Sequence, residues 1–515
     1  DETAALTQAI LGGPVERMTA RWAYDASAGN PLYLREFLAS AVASGALRRD
    51  EGLWRLVDRP SPGPALTELV ALRLEGMDAA GRDLLALLGV GEPLPVDLLA
   101  SLVGPEAVEA AEVQGLVVRS PAPAGDHGRG AAGTSAAAPA DLSLAHPLYG
   151  EVTLALLPAG RVAELRARLA EAVHARGLAA GDAVRVATWL RAAGRPVPPP
   201  LLVDAAREAH QARDPALAAE LAGEAVAAGG GQEARLTLGH ALAALGRYDE
   251  AERTFTTLER SLTSPDAAAD YLHARIDALV WGLGQDAGAA ELVARARHWW
   301  PDAAWRRRVD GLELVLLSAT GRSVAAGELA DRLVADPDLD PAAVPTVAAA
   351  GAIAWLFAGQ TRRAAALADR LDPDPTHGGP AERRLGGLVA WALVRLESGW
   401  AWDELEAHVA RVERVAVARG DRITAGPAAA LLGSLALARG FPVAAARHLR
   451  EAVTHLQAVD PRNLGVVALA ELAQAEAQAG RVAAARRAEV AARRRLGARP
   501  PAWHVRSKLA RAEAW

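Results

Sequence analysis

Residue types that usually carry chemistry are scarce in this chain of 515 residues. There is no cysteine, which excludes disulfides, thiolate metal sites and a cysteine nucleophile. The histidines are scattered without an H-x-x-x-H pair, and no G-x-S-x-G sequence supplies a nucleophilic serine. The sequence therefore offers no recognisable catalytic centre, and we predict that this chain is not an enzyme.

Lys508 is the only lysine in the sequence. A P-loop has the pattern G-x-x-x-x-G-K-[ST], because its backbone N–H groups cradle the phosphates while the lysine neutralises them. Lys508 stands in HVRSKLA, with no glycine-rich segment before it. The chain therefore lacks a Walker A motif, and we predict that it does not hydrolyse a nucleotide by itself.

Two acidic segments have some likeness to cation-binding loops: DPDLDP at 336–341 and DPDP at 372–375. Neither continues to the glycine and the bidentate glutamate of an EF-hand. Both fall where a helical repeat is expected to end, so the pattern favours turns. We predict no metal site.

Tryptophan is concentrated in one part of the chain, where eight of the 13 lie between Trp281 and Trp402. Tryptophans in loops are costly to expose and often line binding surfaces. We therefore predict a groove for an effector or a partner, and the sequence leaves packing between helices open as the alternative. The predicted groove residues are Trp299, Trp300, Trp305, Trp400 and Trp402.

Composition excludes several classes of protein. A hydrophobic content of 51 % is too high for a disordered chain, and no uncharged apolar run is long enough to span a membrane. The net charge of −6 gives no overall signature of nucleic-acid binding. The first residues, DETAALTQAI, do not have the pattern of a signal peptide. We expect a cytoplasmic protein.

Residues 1–58 are predicted to be largely helical. Asn30 is a suitable N-cap, and Pro31 fits the first position of the helix that follows. An extended piece, GLWRLVD, and a proline-rich joint close this segment.

Residues 59–158 have a different pattern, in which helices are followed by two β-like runs, GLVVRS and DLSLAHPLY. The segment between these runs is rich in alanine, glycine and proline and has no aromatic residue. This order predicts a winged-helix domain with a small β-hairpin and a disordered wing loop at 120–140. A helical connector at 159–205 follows.

A repeated helix pair is predicted over 206–497. The segment LTLGHALAALGRYDEAERTF contains an inter-helix glycine, Gly246, and comparable glycines recur at steps of 37 to 41 residues. An alanine follows most of them five positions later, as a close helix crossing requires. The pattern resembles the tetratricopeptide repeat, and residues 498–515 remain as a tail or linker. The other turn glycines are Gly284, Gly321, Gly359, Gly399, Gly440 and Gly480.

The predicted fold is thus mostly α, with a helical lid, a winged helix and a tetratricopeptide-like α-solenoid in that order. SAGNPLYLREF at 27–37 and LSLAHPLYGEV at 142–152 precede the repeats. This combination resembles the large ATP-binding regulators of the LuxR type, which belong to the STAND class of signalling ATPases. In that family an AAA-like ATPase core precedes the lid, and a helix-turn-helix follows the repeats. Neither is recognisable in this sequence.

The resemblance implies a nucleotide site for the intact protein. In that class a G-x-P motif packs its proline on the adenine, which would assign this role to Gly29 and Pro31. A winged-helix histidine contacts the phosphate end of ADP, and the matching residue is His146. The alternatives are that Asn30 and Pro31 only begin a helix and that His146 is a strand-end histidine with a backbone partner. ATP or ADP is implied for the intact protein and no cofactor for this chain alone.

The resemblance implies that the chain is the regulatory and sensor portion of such a transcriptional regulator. Its expected partners are an effector or protein on the repeats, its own ATPase core and DNA-binding domain, and further copies of itself. DNA contact would come only through the missing domain. The main alternative is an interaction scaffold with no nucleotide role. A third is an enzyme on an α/α toroid, which would need clustered acidic pairs that do not stand out here.

Overall fold

A computed structural model gives the architecture of the chain. It describes residues 2–27, 29–50, 52–58, 60, 63–121, 140–371, 381–399, 401–460, 463–497, 508 and 510. The chain divides into two compact units, Asp1–Glu208 and Ala209–Trp515. Its described residues are mostly helical, as the sequence predicts.

The first unit begins with three helices and a hairpin, which occupy the segment predicted to be the lid and are called the lid below. The Asn30 side chain accepts the N–H groups of Leu32 and Tyr33, and Pro31 is the first helical residue, so the predicted cap is confirmed. The extended piece predicted near residue 53 is one arm of a hairpin whose other arm the sequence did not indicate. The elements are α1 (Glu2–Leu11), α2 (Arg17–Ser27), α3 (Pro31–Ala43), β1 (Leu47–Asp50) and β2 (Leu53–Leu56).

A winged helix follows, with a three-stranded antiparallel sheet in the order β3-β5-β4. Two glycines allow α5 and α8 to cross closely, since a Cβ on Gly89 would lie 2.8 Å from the Cα of Gly150. The loop between β4 and β5, the predicted wing, lies outside the described residues. The elements are α4 (Pro64–Arg73), α5 (Ala79–Gly91), β3 (Leu94–Pro95), α6 (Val96–Val103), α7 (Pro105–Val113), β4 (Val117–Pro121), β5 (Ala140–Leu144) and α8 (Pro147–Leu156).

Three helices connect the winged helix to the repeats: α9 (Ala159–Ala175), α10 (Asp182–Ala192) and α11 (Pro199–Gln211). No strand follows β5 among the residues that the structure describes. The rest of the chain consists of helices joined by short turns.

The second unit is the helical array. Each of the seven predicted turn glycines joins the two helices of a pair and adopts a positive φ, between 64° and 79°. Glycine is favoured there because a side chain strains this conformation. The helices are α12 (Pro215–Ala227), α13 (Gly231–Ala244), α14 (Tyr248–Leu258), α15 (Pro265–Asp277), α16 (Asp286–Ala296), α17 (Ala303–Ala319), α18 (Ser323–Ala335), α19 (Val344–Phe357), α20 (Thr361–Ala368), α21 (Ala381–Ser398), α22 (Trp402–Ala418), α23 (Arg422–Ala438), α24 (Pro442–Ala458), α25 (Leu464–Gln478) and α26 (Val482–Leu496).

The alanine that follows each turn glycine by five positions is buried wherever it was predicted. Ala251, Ala326, Ala364 and Ala445 have no exposed surface. The exception at Gly399 has a simple cause. There the second helix begins three residues after the glycine instead of two, so the buried position moves from 404 to Leu405.

Glycines within the helices receive aromatic rings from the neighbouring helix. A Cβ on Gly239 of α13 would lie 2.3 Å from the ring of Phe255 in α14. A Cβ on Gly327 of α18 would lie 2.4 Å from the indole of Trp355 in α19. The pairs therefore pack through ring-into-glycine contacts, which a spacing pattern alone does not specify.

Candidate functional site

His146 lies where strand β5 gives way to helix α8. Its Nδ1 accepts the N–H of Leu148 at 3.2 Å, so the imidazole caps the helix that begins at Pro147. The sequence predicted a β-like run through Tyr149. That prediction is wrong beyond Leu144, because the cap and the proline begin a helix instead.

The ring of His146 contacts the lid. The ring of Tyr33 in α3 meets it edge to face, with centroids 5.2 Å apart and an interplanar angle of 84°. The backbone of Ser27, at the end of α2, also interacts with the imidazole. The structure thus brings together the segments 27–37 and 142–152.

Gly29 and Pro31 lie between Ser27 and Tyr33, the two lid residues that reach His146. Gly29 has a φ of 78°, which favours glycine, and a Cβ there would lie 3.7 Å from the ring of Tyr24. Both Gly29 and Pro31 are exposed. They are therefore accessible to a ligand, while their local geometry is also what the start of α3 requires.

The electrostatics of His146 favour a neutral ring. Burial lowers the pKa of the imidazole, and the backbone of Ser27 partly opposes this effect. The Nε2 atom is shielded from solvent and makes no hydrogen bond of good geometry with any described residue. A shielded polar atom without a well-formed hydrogen bond is costly, so a donor or acceptor brought to Nε2 would stabilise this junction.

The predicted tryptophan groove is only partly compatible with the structure. Trp305 is 1 % exposed and its Nε1 donates to the carbonyl of Ala296 at 2.7 Å, so its assignment to a binding surface is wrong. Trp299 and Trp300 are half-buried and pack against it, with centroid distances of 6.2 and 4.7 Å. Burial of these large rings is more favourable than their exposure.

Trp402 belongs to a different core cluster from that of Trp305. It is half-buried and its Nε1 donates to the carbonyl of Leu396 at 3.3 Å. Trp400 lies outside the described residues. The structure therefore does not gather the five predicted tryptophans into one groove.

A cleft of about 680 Å³ lies between α12 and α14, and residues of α13 form its floor. Its floor is apolar and includes Leu238 and Leu242 of α13 and Leu245, which follows the end of that helix. One wall is built from small residues of α12, among them Ala219 and Gly223. This site was not predicted from the sequence. The one signal for it is the run of small residues on one face of α12, and ordinary helix packing explains that run equally well.

The rim of the cleft is charged. Arg247 pairs with Glu250 at 2.6 Å, and the charge of Arg253 also acts on the Glu250 carboxylate. Glu220 and Arg235 also reach the opening. The cleft therefore combines an apolar floor with a rim on which arginine outnumbers glutamate.

Lys508 contacts the array. Its Nζ lies 2.6 Å from a carboxylate oxygen of Glu471, a buried residue of α25 that also accepts the hydroxyl of Ser434 at 2.5 Å. The lone lysine therefore neutralises a buried carboxylate, which is a structural role.

No group of three or more histidine, aspartate or glutamate side chains could hold a metal ion within the described ranges. No helix in the described part of the chain is both long and apolar enough to cross a membrane.

Comparison with known proteins gives likeness of fold only. No family model matches the chain, and no curated protein matches it. The solved structures similar to it include a Rap protein complexed with competence and sporulation factor, at 11 % identity, a TM-score of 0.36, and 52 % of this chain against 76 % of that one. A human IFIT1 dimer with PPP-AAAA has 11 % identity and a TM-score of 0.37, with 83 % of this chain and 93 % of that one covered.

The TPR domain of P58(IPK) is also similar, at 15 % identity and a TM-score of 0.19, covering 68 % of this chain and 97 % of that domain. These likenesses are remote. The description of the array as tetratricopeptide-like rests on its own helix pairs and turn glycines.

Proposed function

We propose that the helical array is a protein-interaction scaffold and that it binds an amphipathic, acidic segment of a partner protein in the α12–α14 cleft. The cleft carries this proposal. Its apolar floor of Leu238, Leu242 and Leu245 suits the apolar face of a helix formed by the partner segment. The small residues Ala219 and Gly223 allow the backbone of that helix to approach closely.

The rim favours an acidic partner. Arg253 has an exposed side chain whose charge acts on the Glu250 carboxylate, and Arg235 donates a long hydrogen bond, 3.5 Å, to a backbone carbonyl. Carboxylates that flank the apolar face of the partner would therefore find arginine partners already in place.

The partner segment can be found by site-specific cross-linking from the cleft. A photo-reactive side chain replaces Thr257, which lines the cleft, and in the matched control it replaces the neighbouring Thr256, which does not. Both positions are exposed. The segment cross-linked from 257 but not from 256 is sequenced and synthesised as a peptide for the binding measurement below.

Filling the cleft is expected to weaken binding of that peptide. Gly223→Leu places a side chain in open space within the cleft wall, where nothing lies within 4 Å of the new Cβ, so folding is retained. We expect at least a tenfold loss of affinity, about 1.4 kcal/mol or more, by isothermal titration calorimetry. The control is Gly311→Leu, a helical glycine that also has open space around it but lies outside the cleft.

Equal affinities for the wild type and Gly223→Leu would contradict the assignment of this cleft. A cross-linked segment without an apolar face or without carboxylates would contradict the proposed chemistry of the partner.

We propose, as a second candidate function, that the chain is the regulatory portion of a LuxR-type STAND regulator in which lid and winged helix control a nucleotide-dependent switch. One observation favours it: His146 lies against Tyr33 and the backbone of Ser27, on either side of Gly29 and Pro31. These residues come from the two segments that carry the family resemblance. The identity of the ligand, ADP or ATP, is inferred from the family resemblance.

This second function predicts that ADP binds more tightly at acidic pH. A phosphate near His146 favours the protonated imidazole, so affinity rises as the pH falls from the pKa of the complex to the depressed pKa of the free ring, and then levels off. Saturation-transfer NMR of ADP with this chain between pH 5 and 8 measures the effect. His146→Asn, which can still cap α8, is expected to remove the pH dependence. Absence of transfer to the adenine at every pH would exclude this candidate.

A further inference from the structure

The α12–α14 cleft has two jaws, the helices α12 and α14, and each jaw follows a turn. The turn at Arg213 leads into α12, and the turn at Gly246 leads into α14. Both turns contact parts of the array that lie about 210 residues further along the chain. The separation of the two jaws therefore depends on contacts with a later part of the array, outside α12, α13 and α14.

The first attachment joins Arg213 to Asp421. The Nε of Arg213 lies 3.5 Å from a carboxylate oxygen of Asp421, and both side chains are largely shielded from solvent. Arg213 has a φ of 64°, the conformation that glycine adopts in the seven later turns. A non-glycine residue there is strained, and such strain persists where surrounding contacts hold it. Asp421 in turn caps α23 by accepting the N–H of Thr424 at 3.1 Å.

The second attachment joins Asp460 to the α13–α14 turn. The N–H of Asp460 donates to the carbonyl of Ala244 at 3.1 Å, and the hydroxyl of Tyr248 donates to the carbonyl of Asp460 at 2.9 Å. The carboxylate of Asp460 accepts the N–H groups of Leu464 and Gly465 at 2.7 and 2.8 Å.

Asp460 is firmly held in this position. Its side chain is 5 % exposed and pairs with Arg495 at 3.0 Å. Burial raises the pKa of the carboxyl, while Arg495 and the backbone N–H groups of Leu464 and Gly465 oppose the shift. A buried group with this many partners cannot leave without breaking several hydrogen bonds. The loop is therefore a firm anchor for the α13–α14 turn.

Asp421 and Asp460 bracket one helix pair, α23 and α24. These two helices are in close contact, since a Cβ on Gly433 of α23 would lie 2.5 Å from the side chain of Leu449 in α24. Tight packing of this kind makes the pair a rigid body. The start of α23 lies beside the end of α24, since Gly426 faces Leu456, so both attachment residues are at the same end of that body. From that end, each holds the turn that leads into one jaw of the cleft.

We propose that the α23–α24 pair is a strut that sets the width of the α12–α14 cleft and thereby controls its affinity for the partner segment. The proposal rests on the proposed scaffold function only for the last step, control of affinity. A partner segment that fits the cleft at the width set by the intact attachments binds without rearrangement. One that needs a wider cleft must first break the attachments at Asp421 and Asp460, and the coupling acts equally in the reverse direction.

The width can be measured without any ligand, by electron–electron double resonance between two nitroxide labels. The chain has no cysteine, so Ala227→Cys on α12 and Thr256→Cys on α14 give two unique, exposed label sites. In a background of Arg213→Gly and Tyr248→Phe we expect the distance distribution to broaden and shift to longer values. Arg213→Gly removes strain together with the ion pair, and Tyr248→Phe removes only a hydroxyl, so both are compatible with folding.

The matched control is Tyr271→Phe, which removes another buried hydroxyl, the acceptor of a hydrogen bond from Arg275, that has no part in either attachment. If Arg213→Gly/Tyr248→Phe does not fold, Asp421→Asn replaces it, because the amide oxygen can still cap α23 while the charge that faces Arg213 is lost. An unchanged distribution in the folded variants overturns the strut. A changed distribution with no effect of Gly223→Leu on peptide binding leaves the strut standing and overturns the scaffold function instead.

Discussion

Truncation of Trp305 to alanine is expected to lower the free energy of unfolding of the array by about 3–5 kcal/mol. The indole is almost wholly buried, with 1 % of its surface exposed. It stacks on Trp299 at an interplanar angle of 20° and meets Trp300 edge to face. Its loss leaves a cavity beside Trp299 and Trp300. It also removes one of the two hydrogen bonds that the carbonyl of Ala296 accepts, the other being donated by the N–H of Trp299. Urea denaturation followed by circular dichroism measures the change.

Trp402→Ala provides the comparison. Trp402 is half-buried and its Nε1 makes a longer hydrogen bond, 3.3 Å, so we expect a distinctly smaller loss of stability. Equal losses for the two variants would contradict the view that Trp305 is a core residue. So would a Trp305→Ala protein that unfolds like the wild type.

Replacement of Gly239 by alanine is expected to destabilise the array by about 1–3 kcal/mol relative to the same change at Gly311. A methyl group at 239 would lie 2.3 Å from the ring of Phe255, far inside van der Waals contact, and the ring has no exposed surface through which to move away. At Gly311 the methyl group meets nothing within 4 Å. There alanine stabilises the helix by about 0.5–1 kcal/mol. Thermal and urea unfolding of the two variants measure the difference.

A double-mutant cycle tests the cause of that difference. Phe255→Leu shortens the side chain that faces Gly239, so the two changes together are expected to cost less than the sum of their separate effects. Additive effects would show that Gly239 matters for another reason than contact with Phe255.

The repeat architecture could be predicted from the sequence because its signals are local. A turn between antiparallel helices requires a positive φ, and glycine satisfies it at Gly246 and at each later turn. A close crossing requires a small residue at a set distance, which Ala251 and its equivalents provide. The Asn30 cap is equally local, because the side chain bonds to the N–H groups two and three residues ahead.

The turn at Arg213, which leads into α12, could not be predicted in this way. Arg213 adopts the same positive φ as the turn glycines, but nothing in its neighbourhood indicates this. The ion pair with Asp421, more than two hundred residues away, helps to hold the conformation.

In the candidate sites, too, local features could be predicted from the sequence and contacts between distant residues could not. The meeting of segments 27–37 and 142–152 was expected only through a family resemblance, while the contact of Tyr33 with His146 emerges from the packing of lid on winged helix. The tryptophans were predicted to line a groove because sequence reports residue type and spacing but not burial. The α12–α14 cleft was missed since its floor residues have the ordinary pattern of a helix core.

The sequence by itself determined the helix pairs, their turns, the caps and the absence of cysteine and of a P-loop lysine. Each of these follows from the covalent and conformational properties of residues close together in the chain. Only the tertiary structure decided that Trp305 is core, that Lys508 neutralises Glu471, and that Asp460 is bonded to the α13–α14 turn. The physical reason is that burial and long-range hydrogen bonding depend on which distant surfaces meet, and this is set by the summed small rotations between successive helix pairs.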